Sequence, residues 1–293
     1  MMKTFQTIGL QYLTRCFPKL FWQRYNRLAH RLGLRHLYLI LSFDCDTNED
    51  IEAAEQVDAW LCKHGMKRTY AVPGEQLERG ANVYRLLAEK GANFINHGAL
   101  PHAEWRENRY WSINFYNRMS SKEVIEDIQN GHELLRKVIG RTSTGFRVPH
   151  FGLFQAPEQL KTLHSILRNL NYRYSTSTLP QFGLHHGPVW KIDGFFEIPL
   201  SGSYRSFLNL LDSWGYITNP YQPIVQDEYA HVFIKTVERL LALGVSGVLN
   251  YYVDPSHIYK SSAFFRALEF VIERQVPTLH YDELLDMVKG AGE

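Results

Sequence analysis

Cysteine is scarce in this sequence. Cys16, Cys45 and Cys62 are three in 293 residues, odd in number and without a Cys-x-x-Cys spacing. That excludes a disulfide framework and a zinc ribbon. No run of 18 apolar residues occurs, so no transmembrane helix is evident. Proline and glycine, at 12 and 20 residues, are too few for a collagen-like or low-complexity chain. The formal net charge of +2 by itself points to no nucleic-acid partner. What is present, 45% hydrophobic and 14% aromatic residues, is ordinary globular composition. The length allows one large α/β barrel or two smaller domains.

Acidic residues are missing altogether from Met1 to Phe43, where Lys3, Arg15, Lys19, Arg24, Arg27, Arg31 and Arg35 occur. The rest of the chain holds 25 basic against 30 acidic residues. Phe5, Ile8, Tyr12, Cys16, Leu20 and Leu28 recur near helical spacing, and Pro18 is expected to break or kink the helix. Residues 1–36 therefore read as a basic amphipathic helical arm, and 37–293 as the body. Such an arm either lies on an anionic membrane surface or packs on the body with its charges in water. The interrupted apolar stretch argues against a cleaved signal peptide. The expected location is cytoplasmic, with peripheral contact at the inner membrane face as the arm's implication.

The body alternates strand and helix patterns. Leu37–Phe43 is a continuous apolar run suited to a strand buried on both faces. Further strands are expected at 69–72, 93–96, 145–147, 172–176, 195–199, 247–253 and 276–280, with helices between most of them. Ser120-x-x-Glu123 reads as a capping box opening a helix that Gly140 closes. Repeated βα units imply a parallel sheet with helices outside. The expected fold is α/β, a distorted (β/α) barrel of about seven parallel strands, whose active residues belong at strand C-terminal ends.

Polar residues collect at those ends. Ser42-Phe-Asp44-Cys-Asp46 closes the first barrel strand. Two carboxylates there are costly to bury unpaired, so a metal, a base role or an Asx turn must account for them. Cys45, between them, should point the other way and be a buried structural residue. Another strand ends in Asn96-His97-Gly-Ala-Leu-Pro-His102, and two imidazoles on one loop can turn to one metal. Arg147, in Gly145-Phe-Arg-Val-Pro-His150, is a fixed charge able to hold a carboxylate ionised. Asp254 and His257 end a late strand, and His257 is a candidate general acid. Trp105, Tyr110, Trp111 and Tyr116 either stack on a ligand or form a loop core. His185-His186 reads as a surface or groove-lining loop.

In this order the clusters resemble the polysaccharide deacetylase superfamily, the NodB-homology fold of carbohydrate esterase family 4, over roughly Leu37 to Met287. The resemblance implies Asp44 as catalytic base, Asp46, His97 and His102 as metal ligands, and Arg147 as the residue that orients the base. It places Pro149 and His150 against the substrate, and His280 and Asp282 on a structural closing strand. The chain departs from the family pattern in three ways. The His spacing is five rather than four, His150 replaces an aromatic, and Asp254-Pro255 stands where His-Pro is usual, so that Asp254 or His257 takes the acid role. No copy of an Asp-x-x-Asp-Trp motif is evident.

The implied activity is metal-dependent hydrolysis, with zinc the expected divalent ion, removing an N-acyl and most simply an N-acetyl group from an amino sugar of a polysaccharide or glycan precursor. The alternatives are a deacylase or deformylase of a lipid-linked sugar, a metal-independent amide hydrolase, and an inactive carbohydrate-binding pseudoenzyme.

Overall fold

The computed structural model describes residues 2–217 and 223–290. Residues 1, 218–222 and 291–293 of the expected arm and barrel lie outside the described residues. In chain order come α1 (Met2–Cys16), α2 (Pro18–Arg31), β1 (Leu37–Asp44), α3 (Asn48–Lys63), β2 (Thr69–Val72), α4 (Gly74–Arg79), α5 (Ala81–Glu89), β3 (Asn93–Asn96), β4 (Ala103–Arg106) and β5 (Arg109–Ser112). Then follow α6 (Ser121–Ile139), β6 (Gly145–Phe146), α7 (Pro157–Asn169), β7 (Tyr174–Ser175), α8 (Pro180–His186), β8 (Trp190–Ile192), β9 (Phe195–Glu197), α9 (Asp227–Ala242), β10 (Gly247–Val253), α10 (Pro255–Ile258), α11 (Ser262–Glu273) and α12 (Tyr281–Gly290).

Eight strands form one curled sheet in the order β10-β1-β2-β3-β6-β7-β9-β8. Seven run parallel, and β8 pairs antiparallel with β9 at the edge. β1 is buried along its whole length. Its alternating side chains serve two cores: Leu39, Leu41 and Phe43 face the layer under the outer helices, while Tyr38 and Ile40 face the barrel interior. This two-sided burial is why the strand is uninterruptedly apolar. Asn250 on β10 helps to close the seam, its side-chain amide donating to the carbonyls of Ile198 and Pro199 and to Thr176 Oγ1.

The end of the barrel where strands begin is plugged by side chains of α2 and α12. Ala29, Leu34, Leu284, Leu285 and Val288 join the interior cluster there. Helix α6 carries the expected capping box, with Glu123 N donating to Ser120 Oγ and Ser120 N donating to Glu123, and it ends at Gly140 with φ 76°. Pro18 occupies the first turn of α2, where its missing N–H costs nothing, so the chain bends there into two helices.

Three local expectations are corrected. Residues 276–280 make only a single bridge, Thr278 to Leu39, on the edge of β1 that pairs with β2 further along, at Ser42–Asp44. His280 and Asp282 accordingly sit at the start of α12, whose first turn is capped by Glu283 accepting from His280 N. His185 and His186 belong to α8, where His186 stacks on Trp190 at 3.9 Å, away from the strand ends that carry the polar clusters.

Candidate active site

The strand ends converge on a pocket of about 200 Å³. Asp44, Asp46, His97, His102, His150 and Asp254 all line it. They come from the ends of β1, β3, β6 and β10 and from the loops that follow, residues distant in sequence brought together by the parallel sheet.

Arg147 organises the inner wall. It is fully buried, and its guanidinium donates to Asp44 Oδ1, to Ser42 Oγ at 2.8 Å and to Tyr281 OH at 2.8 Å. The rings of Phe151 and Tyr252 lie 5.5 Å from its charge. The second carboxylate oxygen of Asp44 points toward His97 Nε2, 3.8 Å away. Burial pushes the Asp44 carboxyl up to about 7, with the Arg147 charge working against that rise.

Asp46, His97 and His102 offer ligating atoms that all lie within 4.8 Å of one another. Asp46 Oδ1 is 3.1 Å from His102 Nδ1 and 3.7 Å from His97 Nε2. Metal bonds of about 2.0–2.1 Å at tetrahedral angles place neighbouring ligand atoms about 3.3 Å apart, so these spacings fit a divalent ion. The protonation states fit as well. His97 Nδ1 meets the Arg147 carbonyl at 2.8 Å, which makes it the protonated nitrogen and leaves Nε2 with a free lone pair. Burial holds His97 well below its usual range, hence neutral. Burial alone would raise Asp46, but the two imidazoles bring it down to about 2, hence ionised. His102 Nε2 is buried without a hydrogen-bond partner. One carboxylate and two imidazoles form a set suited to zinc and similar ions.

The loop that carries the two histidines is fixed from α6. Asp127, itself buried, accepts from Ala99 N at 2.9 Å, Leu100 N at 2.8 Å and Tyr116 OH at 2.5 Å. Asn96 accepts from Gly98 N and donates to Ile128 O. Gly98 has φ +79°, and a Cβ there would stand 2.2 Å from Asp127 Oδ2. Glycine is therefore required twice over, by the backbone and by the carboxylate against it.

On the far wall Asp254 is buried and its Oδ1 has no partner. Burial, reinforced by the charges of Asp50, Asp46 and Asp44, holds its carboxyl well above the usual range. His257 lies behind it and is not part of the lining. Its Nδ1 pairs with Ser213 Oγ at 2.9 Å, stands 3.7 Å from Asp254, and burial pushes its pKa down to about 3. Pro149 is buried and does not line the pocket, whereas His150 does, with φ 58° and Nε2 2.6 Å from the Ile113 carbonyl.

Within the aromatic-rich segment, β4 and β5 form a hairpin over the mouth. Tyr110 and Trp111 line the pocket, Trp105 is exposed, and Tyr116 is core. Tyr110 OH bonds Glu49 and ties the hairpin to α3. Cys45 is fully buried in the outer core, as its position between the two carboxylates implies.

Other lining or supporting residues escaped the sequence reading. Trp214 lines the mouth opposite the hairpin and packs edge-on against His257 at 4.6 Å. Asp212 accepts from Tyr252 OH, and Ser213 accepts from Asp254 N. Asp212-Ser-Trp214 leads into a single 3₁₀ turn, Trp214–Tyr216, too short for any periodicity to mark it.

A family model described as polysaccharide deacetylase matches residues 35–175. Over those residues, just under half of the chain, the sequence is similar to the polysaccharide deacetylases. No curated protein matches its sequence. Among solved structures, a protein assigned as a polysaccharide deacetylase from Mycobacterium smegmatis is similar at TM-score 0.66 and 14% identity, over 87% of this chain and 91% of that one. A family 4 acetyl xylan esterase from Clostridium thermocellum, solved with a cobalt ion, is similar at TM-score 0.52 and 18% identity, over 86% and 91%. A mutant with restored enzymatic activity, of a family 4 carbohydrate-esterase pseudoenzyme from Bacillus anthracis, is similar at TM-score 0.51 and 14% identity, over 85% and 68%. At these identities the likeness is one of fold: a mostly parallel eight-stranded sheet curled into a distorted barrel.

Proposed function

We propose that this chain is a metal-dependent hydrolase that removes an N-acyl group, most simply N-acetyl, from an amino sugar in a glycan. The observation that carries the reading is the meeting of Asp46, His97 and His102 beside an Asp44 paired with buried Arg147. The cobalt ion reported for the similar acetyl xylan esterase supports a metal in this fold.

Asp46, His97 Nε2 and one nitrogen of His102 would hold the ion, zinc by the chemistry of the donors. A divalent ion in such a set supplies Lewis-acid polarisation of an amide carbonyl and lowers the pKa of water to about 7. Asp44 receives the proton of the attacking water at Oδ2, while Oδ1 stays on Arg147. Arg147 fixes the orientation of that carboxylate and needs no movement during reaction. Asp254 is the proton donor: it faces the pocket, its Oδ1 is free, and its environment keeps it protonated. It delivers its proton to the leaving amine, which departs as the amino sugar. His257 supports Asp254 from behind through Ser213. Tyr110, Trp111 and Trp214 give apolar rims on which sugar rings can stack and exclude water.

The test is acetate release from N-acetylated chito-oligosaccharides by the zinc-loaded protein, wild type beside Asp44→Asn. Turnover in the wild type, with loss of roughly 10²-fold or more in the variant and unchanged metal content, supports the assignment. Equal turnover in both defeats it. Metal binding without turnover in the wild type favours the pseudoenzyme reading.

A further inference from the structure

The arm formed by α1 and α2 stands apart from the pocket and has its own pattern. Side chains of α2 seal the barrel: Phe21, Trp22 and Tyr25 are buried, and Asn26 bonds Gly244 O and Ser246 N just before β10. The opposite surface is not sealed. Ile8, Tyr12, Leu13, Phe17 and Leu20 are all exposed, Tyr12 and Leu20 to 59% and 60%. Tyr12 and Phe17 approach across the elbow with ring centroids 6.1 Å apart, joining the exposed apolar residues of the two helices there. Around it Arg15, Lys19, Arg24, Arg27, Arg31 and Arg35 are exposed, and no acidic residue occurs before Asp44. The rest of the chain is net acidic, so positive charge is concentrated where the apolar patch is.

Between elbow and body an open cleft of about 710 Å³ is walled by Arg15, Trp22, Arg205, Phe207 and Arg239. Arg205 pairs with Glu228, and Arg239 lies over the Tyr204 ring at 4.5 Å. Large apolar side chains at the crest, cations along the flanks and an arm with no acidic residue of its own are complementary to the headgroup region of an anionic bilayer.

We propose that the α1–α2 elbow is a docking surface for an anionic lipid bilayer, with Tyr12, Phe17 and Leu20 inserted and Lys19, Arg27 and Arg31 at the phosphate level. This stands independently of the hydrolytic reading. It also has a geometric consequence. α2 leads into β1 at Leu37, whereas the pocket begins at Asp44, about 23 Å further along the strand. None of the pocket's lining residues belongs to the arm, so docking leaves the site's own residues uncovered by the elbow.

The experiment is co-sedimentation of the full chain with phosphatidylcholine vesicles, with and without phosphatidylglycerol. The wild type is expected to sediment with the anionic vesicles only, and to be released as salt is raised. Tyr12→Ser/Phe17→Ser/Leu20→Ser is expected to lower partitioning at least about tenfold, since three inserted apolar side chains are lost. Lys19→Gln/Arg27→Gln/Arg31→Gln is expected to lower it by about 100-fold, roughly fivefold per cation. All six positions lie on the arm's outer surface, so both variants should melt as the wild type does. Wild type left in the supernatant with anionic vesicles overturns the proposal. So does a serine variant that partitions normally, including one that changes only the mass of the chain in solution, which would make a second copy the occupant of the patch.

Discussion

Replacing Asp127 by alanine should damage a metal site that Asp127 never touches. Its carboxylate accepts three hydrogen bonds, from Ala99 N, Leu100 N and Tyr116 OH, and it is buried where water cannot replace it. Each donor left without an acceptor costs about 1–3 kcal/mol, less for the partly buried Leu100 N–H, so the total is about 3–6 kcal/mol. For a chain of this size that lowers Tm by at least about 6 °C. Two of these bonds, from Ala99 N and Leu100 N, hold the segment between His97 and His102, so without them the ligands lose their fixed separation. Loss of such outer-shell support costs about 10- to 100-fold in metal affinity. Asp127→Asn keeps the oxygen that serves both backbone donors and should lose far less of either quantity. Thermal unfolding of the metal-free protein and zinc titration against a competing chelator measure the two effects separately. An Asp127→Ala protein with wild-type Tm and wild-type zinc affinity would refute the argument that α6 positions the histidine loop.

Two further substitutions probe the same geometry. Gly98→Ala should destabilise the chain by more than Gly65→Ala in paired denaturation curves. Both have positive φ, with a common cost of about 1–2 kcal/mol, but only at Gly98 does the new Cβ strike a neighbour, Asp127. Asp254→Asn should lower kcat by about 10²- to 10⁴-fold with metal content unchanged, the range expected for loss of a general acid. His257→Gln should lower it less, because His257 acts only through Ser213.

The long elements were legible because burial demands a pattern. β1 and β10 lie between two cores and are apolar nearly throughout, with Asn250 the buried polar exception in β10, and α6 announced both its ends with Ser120, Glu123 and Gly140. The hairpin β4–β5 gave no such signal. Its turn is Glu107-Asn108, both with positive φ, where Asn-Gly or Asp-Gly is the recognisable form, and its four-residue strands carry charge on their exposed faces. The last expected strand failed for a different reason. Val276–His280 has strand composition, but it touches β1 through one bridge only, and Glu283 caps a helix immediately afterwards.

In the site, residues that sit directly after strands were readable: Asp44, Asp46, His97, Arg147 and Asp254 all reach one pocket or its wall. What sequence order could not decide was which of Asp254 and His257 faces the pocket. The turn of α10 rotates His257 behind, toward Ser213 and Trp214. Trp214 itself was hidden in a three-residue 3₁₀ turn, too short for a spacing rule to apply.

Metal stoichiometry tests the central claim most directly. Elemental analysis after zinc loading and removal of free metal should find about one ion per chain in the wild type, from the one three-ligand set found among the described residues. His97→Ala should lose it, since that substitution removes a ligand and the bond to the Arg147 carbonyl together. A wild-type chain that retains no divalent ion, or a His97→Ala chain that retains as much as the wild type, would contradict the account.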